Sequence, residues 1–153
     1  MNHRAYSTFI FPGWKTFKEH FPHKTEEDWV CFSLTIWFSA IKMYKENGPG
    51  TNQAIMEIGM PSDIKLVDPP CLRLIDTRLR YGKLHFILYF RSWDLWGGFP
   101  SNLGGLQLVK QYMAEEIGVD DGEIIAVSKG LHLYDYAWDL AKLRTNKNNL
   151  VIK

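Results

Sequence analysis

The chain has 153 residues, with 18 Lys and Arg against 17 Asp and Glu, so its formal net charge is +1 at pH 7. A balance this close to zero excludes a polyelectrolyte tail and argues against a nucleic acid polymer as partner, which needs a concentrated basic face. A hydrophobic content of 46%, with six Trp, seven Tyr and nine Phe, excludes an intrinsically disordered chain, and the length predicts one domain over residues 1–153.

No apolar run approaches the roughly 20 residues that cross a bilayer, and Met1 to Arg4 leads into no signal-peptide core. A cytoplasmic protein that engages no membrane is therefore expected. Two cysteines, Cys31 and Cys71, cannot build a disulfide framework and are read as free thiols.

Residues 1–24 carry Pro12, Gly13 and Pro22 without a sustained period and are read as an irregular leader to a core at 25–143. Thr25 with Asp28 resembles a capping box, and Val30, Leu34, Trp37, Ile41 and Tyr44 recur at helical spacing, which predicts a helix from Glu26 to Lys45. Cys31 lies on its apolar side and is assigned to the core. Asn47-Gly48-Pro49-Gly50 stops the helix.

Ala54 to Ile58 reads as a short strand, followed by a loop through Pro61 and Asp63 to Pro69-Pro70. Leu72 to Arg80 and Leu84 to Arg91 read as antiparallel strands joined by a three-residue link, Tyr81-Gly82-Lys83. After a glycine-bearing bend from Trp93 to Pro100, Leu103, Leu106, Val109, Met113 and Ile117 mark an amphipathic helix closed by Gly118. Glu123 to Ser128 predicts a strand and Tyr134 to Leu143 a helix. The fold class is α+β, a mixed or antiparallel sheet with two or three helices on one face and the other face free for a dimer.

Several residues can carry chemistry. Cys71 follows two prolines at the start of a strand, where a stiff backbone suits either a nucleophile or a buried structural thiol. Arg91-Ser92 closes a strand before a glycine turn and a helix, which suits either a phosphate or a structural ion pair. Asn102 is either a helix cap or a side-chain amide able to read the imide edge of uracil. His132 and Tyr134, two apart, point the same way in an extended segment and can both reach a sugar hydroxyl. Asp94 accepts either from a ligand N–H or from its own turn. Trp93 and Trp96 either exclude water from the neighbouring pocket or fill core and interface.

Taken in order, Pro70-Cys71, Arg91-Ser92-Trp93-Asp94, Gly98, Pro100 and Asn102, and His132-Leu133-Tyr134 resemble thymidylate synthase over roughly Ile55 to Leu143. The resemblance implies a methyltransferase homodimer that binds dUMP and folate. Cys71 would add to C6 of dUMP, with 5,10-methylenetetrahydrofolate as cosubstrate and no metal. It assigns the phosphate to Arg91 and Ser92, the base to Asn102, the sugar 3′-hydroxyl to His132 and Tyr134, and the folate to Asp94 and Gly98. It also implies that Arg91 favours the Cys71 thiolate. Two other readings stay open, a pyrimidine-nucleotide hydroxymethylase and a nucleotide-binding relative without turnover.

The chain departs from the family pattern in several places. Leu72 stands where the family commonly has His, and Phe90 where it has Gln. Thr51-Asn52-Gln53 stands where a pair of phosphate-binding arginines is expected, which makes Arg73 and Arg78 the candidate replacements. The family's N-terminal arginine-rich loop and Glu-bearing helix have no visible counterpart in residues 1–50, and its C-terminal closing segment is expected to be missing or reduced. A compact, divergent branch or a fragment is expected.

Overall fold

A computed structural model describes residues 26–145, with side chains from Ile36 onward. The leader expected at 1–24, the Thr25 cap and the Cys31 side chain lie outside the described residues. Helix α1, Glu26–Asn47, runs close to its expected span and ends at Gly48, whose positive φ of 73° follows from the lack of a Cβ. Ile41 and Tyr44 are buried and Trp37 packs against the same core, so these three positions of the expected apolar spacing face the core, while the Val30 and Leu34 side chains lie outside the described residues. Tyr44 also donates to Thr77 Oγ1 at 2.8 Å, because that hydroxyl gives its own hydrogen to Ala54 O.

The main sheet has four strands in the order β1 (Ile55–Glu57), β2 (Leu72–Arg80), β3 (Lys83–Phe90) and β5 (Asp120–Ser128). β1, β2 and β3 are antiparallel neighbours, whereas β5 joins β3 in parallel, so the sheet is mixed. The β2–β3 link is shorter than the three residues expected. Lys83 pairs with Arg80, and Tyr81 and Gly82 alone turn the chain with φ of 53° and 73°, the two positive values that match the twist of a tight hairpin. A second, two-stranded parallel sheet pairs β4 (Trp93–Asp94) with β6 (Leu131–His132).

Helix α2, Gly98–Ile117, starts five residues before Leu103 because Pro100 sits in its first turn, where a missing N–H costs nothing. It ends on Gly118, φ 81°, as expected. β5 starts at Asp120, earlier than the expected Glu123. Asp120 and Asp121 disguise the strand's start in the sequence. The expected helix from Tyr134 divides into a single turn at Asp135–Ala137 and helix α3, Trp138–Thr145.

One face of the sheet is the core. Leu72, Ile75, Thr77 and Leu79 of β2 and Leu84, Phe86, Leu88 and Phe90 of β3 are buried there under α1 and α2. A fully buried cation, Lys110 of α2, donates to Asp121 Oδ1 and Gly122 O at a bulge where β5 places two residues opposite His85. A Cβ at Gly122 would lie 2.5 Å from Leu84 O, so the close strand approach at this bulge requires glycine.

The opposite face presents two rows across the strands, Ile55, Asp76, Ile87 and Ile125, then Glu57, Leu74, Tyr89 and Val127. Ile55, Ile87, Tyr89, Ile125 and Val127 of these rows are exposed. Among the described residues no helix is long and apolar enough to cross a membrane.

Candidate active site

The site forms where the β2–β3 pair opens. Leu72 pairs with Phe90, and one step further the Arg91 amide donates to Cys71 O at 2.8 Å, so two residues twenty positions apart become neighbours. The parallel β3–β5 pair ends at Phe90 and Ser128. Beyond it, Trp93 N bonds to Gly130 O and Leu95 N to His132 O, which brings the Arg91–Asp94 segment alongside His132. Ser92 Oγ lies 3.0 Å from His132 Nδ1, and the His132 and Tyr134 rings meet edge to face at 4.9 Å. Strand pairing thus brings Cys71 beside Arg91, and Ser92 beside His132 and Tyr134, where β2 begins and β3 ends.

The Arg91 guanidinium faces back along the chain. Its Nε donates to Pro69 O at 3.0 Å, and its Nη2 to Pro69 O and to Asp68 Oδ1, the latter at 2.9 Å. Arginine therefore braces the Asp68–Pro70 segment that presents Cys71, and its Nη1 has no protein partner among the described residues. Burial pushes the Cys71 thiol above its ordinary pKa. Arg91 pulls it down and Asp68 pulls it up, and burial prevails. The expected stabilisation of the thiolate by Arg91 is present in sign but is outweighed in this state.

Asp94 caps the start of α2. Its Oδ1 accepts from Trp96 N, and its Oδ2 from Gly97 N and Gly98 N, all at 3.0 Å. Partial burial raises its pKa, but these three N–H donors, with His132 adding a weaker pull, outweigh burial and leave the carboxyl below its ordinary value. A carboxylate offers about four lone-pair positions, so one remains on Oδ1 for a ligand N–H. Tyr136 belongs to the same corner, its hydroxyl 4.0 Å from where a Gly97 Cβ would lie.

Asn102 is not the N-cap that its position near the helix start suggested, because α2 has already run four residues before it. Its Oδ1 accepts from Trp93 Nε1 at 3.0 Å. Trp93 is buried, stacked on Phe90 with ring centroids 3.9 Å apart and tilted against Phe99 at 4.7 Å. Trp93 is accordingly a core aromatic with one polar tip in the site. Leu72 and Phe90, the departures from the family pattern, are buried on the core face.

Neither candidate replacement for the absent arginine pair is uncommitted. Arg73 Nη1 forms a 2.7 Å ion pair with buried Asp63, and Arg78 Nη1 donates to Thr51 O at 3.3 Å. Asp68, which biases both Arg91 and Cys71, escaped the sequence reading, although its place directly before Pro69-Pro70-Cys71 was a signal. The Trp93 indole N–H was missed for a different reason, since only the helix start brings it to Asn102.

The family model described as Thymidylate synthase matches residues 37–151. The chain belongs to the thymidylate synthase family.

A Methanosarcina barkeri protein named "Putative thymidylate synthase" is 36% identical over 98 residues, which cover 63% of this chain and 45% of that one. A Methanosarcina mazei protein of the same name is 42% identical over 82 residues, covering 54% and 38%. A Listeria monocytogenes thymidylate synthase is 36% identical over 96 residues, covering 62% and 30%. The chain spans less than half the length of these relatives.

Proposed function

We propose that this chain binds dUMP and carries the nucleophile of a thymidylate synthase reaction, transferring a one-carbon unit to C5 and reducing it. The observation that supports this most is the placing of Cys71 one backbone hydrogen bond from Arg91, with Ser92 and His132 paired at 3.0 Å beside it. Arg91 and Ser92 bind the phosphate. A guanidinium that already holds Asp68 can exchange that exposed carboxylate for a dianion. Asn102 meets the base, and His132 and Tyr134 the 3′-hydroxyl. Once ionised, the Cys71 sulfur adds to C6, its proton having left to solvent, and C5 becomes nucleophilic.

Asp94 and Gly98 hold the folate, and the spare lone pair on Asp94 Oδ1 fits a pterin N–H. Methylenetetrahydrofolate, when bound, supplies the one-carbon unit and the hydride. The chain itself supplies nucleophile, orientation and electrostatics.

The sheet's exposed apolar face supports a homodimer, because paired copies would remove Ile55, Ile87, Tyr89, Ile125 and Val127 from water together. Release of tritium from C5-labelled dUMP tests the activation step directly. We expect release that depends on Cys71 and stops in Cys71→Ser. Binding of dUMP with no release would instead favour the reading without turnover.

A further inference from the structure

We infer that Trp93 decides which pyrimidine the site accepts, by fixing the direction of the Asn102 amide; the inference rests on the proposed role of Asn102 at the base. An indole N–H is a donor only, whereas a side-chain amide has an oxygen on one side and an NH2 on the other. Trp93 Nε1 lies 3.0 Å from Asn102, so the atom it faces must be the amide oxygen. Reversing the amide would set N–H against N–H at a tryptophan that is 3% exposed, leaving a buried donor unsatisfied. Trp93 cannot swing aside to relieve this, because Phe90 stacks on one side of it and Phe99 packs near it.

The consequence is chemical. With Oδ1 held in place, its second lone pair accepts the N3–H of uracil while Nδ2 donates to O4. Cytosine presents the opposite edge, an acceptor at N3 and an amino donor at C4, and pairing with it needs the reversed amide. Trp93 is thus a positioning residue that selects 4-oxo over 4-amino pyrimidine nucleotides through Asn102.

Calorimetric titration of the full chain with dUMP and with dCMP tests this, with Trp93→Phe as the variant that keeps a stacked ring and removes the donor. The preference for dUMP should fall about tenfold in Trp93→Phe, mainly through tighter dCMP binding. Phe99→Leu loosens packing but keeps the indole N–H, and should leave the ratio unchanged. If Trp93→Phe does not fold, 3-benzothienylalanine placed at position 93 retains the indole shape without the N–H and should give the same fall. A wild-type preference that survives removal of the donor overturns the role of Trp93 and leaves Asn102 standing. An equal fall in Phe99→Leu overturns it too. Wild-type protein that binds neither nucleotide, or both alike, overturns the proposed function and this inference together.

Discussion

Cys71 sits between opposing influences, and their balance is a property of three side chains. Burial and Asp68 raise its pKa while Arg91 lowers it. The thiolate, which is the reactive form, should therefore appear at a higher pH than the roughly 8.5 of a free cysteine. Alkylation by iodoacetamide, followed by mass spectrometry against pH, should show that displaced midpoint. Arg91→Ala should move it higher still. Asp68→Asn should move it lower, because it removes a negative charge and frees the guanidinium from its ion pair. A midpoint at or below that of free cysteine, or shifts of the opposite sign, would contradict this account of the site. The residue types were legible in the sequence, but this competition was not. It depends on Pro69 and Asp68 folding back onto Arg91, a contact across more than twenty positions.

At the level of elements, the start of α2 depends on Asp94. Its carboxyl accepts three backbone N–H bonds at the turn, and the pKa held below the ordinary value ties that support to pH. A carboxyl with a lowered folded-state pKa stabilises the protein above its unfolded value of about 3.9, and the contribution is lost as pH falls through the folded value. Asp94→Ala should cost about 1 kcal/mol near neutrality and should flatten the loss of stability below about pH 4, as read by chemical denaturation across pH. An unchanged acid limb would remove Asp94 from the capping role.

Most elements announced themselves. The β2 boundaries, Leu72 and Arg80, and the β3 run were readable from apolar alternation, and α1 from its 3.6-residue spacing. The hairpin was readable in kind but not in length, since a non-glycine residue at positive φ, Tyr81, is not suggested by its type. The early start of α2 was hidden by glycines and Pro100, which resemble a loop when their cap cannot be seen. The parallel placement of β5 was not legible, because a strand that opens with two aspartates shows no alternation until Ile124, and its partner is chosen by α2 crossing the sheet.

At the scale of the whole molecule, the two faces of one sheet have different tasks. α1 and α2 cover the core face, whereas the other holds two rows that are mainly apolar, interrupted by Asp76 on β2 and Glu57 on β1. An exposed apolar surface of this kind on a folded domain calls for a partner, and a second copy is self-complementary when two such faces meet across a two-fold axis. Sedimentation should find a dimer, and Ile87→Glu, which sets a charge in the centre of the face, should yield monomers that remain folded. Monomers of the wild-type protein at every concentration examined would refute the arrangement. The family was readable because the residues of the four motif blocks keep their order and spacing. The spacing could not show that Arg73 is paired with Asp63 or that Arg78 donates to the Thr51 carbonyl, just as it could not show Arg91 paired with Asp68.

The central claim is that Cys71 attacks C6 of a uracil nucleotide held where β2 begins and β3 ends. Intact-protein mass spectrometry after incubation with 5-fluorodeoxyuridylate and methylenetetrahydrofolate tests it most directly, since fluorine at C5 blocks the proton loss that lets the reaction proceed. The account predicts an added mass equal to nucleotide plus folate in the wild-type chain and none in Cys71→Ser. Folded wild-type protein that gains no mass, or a Cys71→Ser variant that gains the same mass, would contradict it.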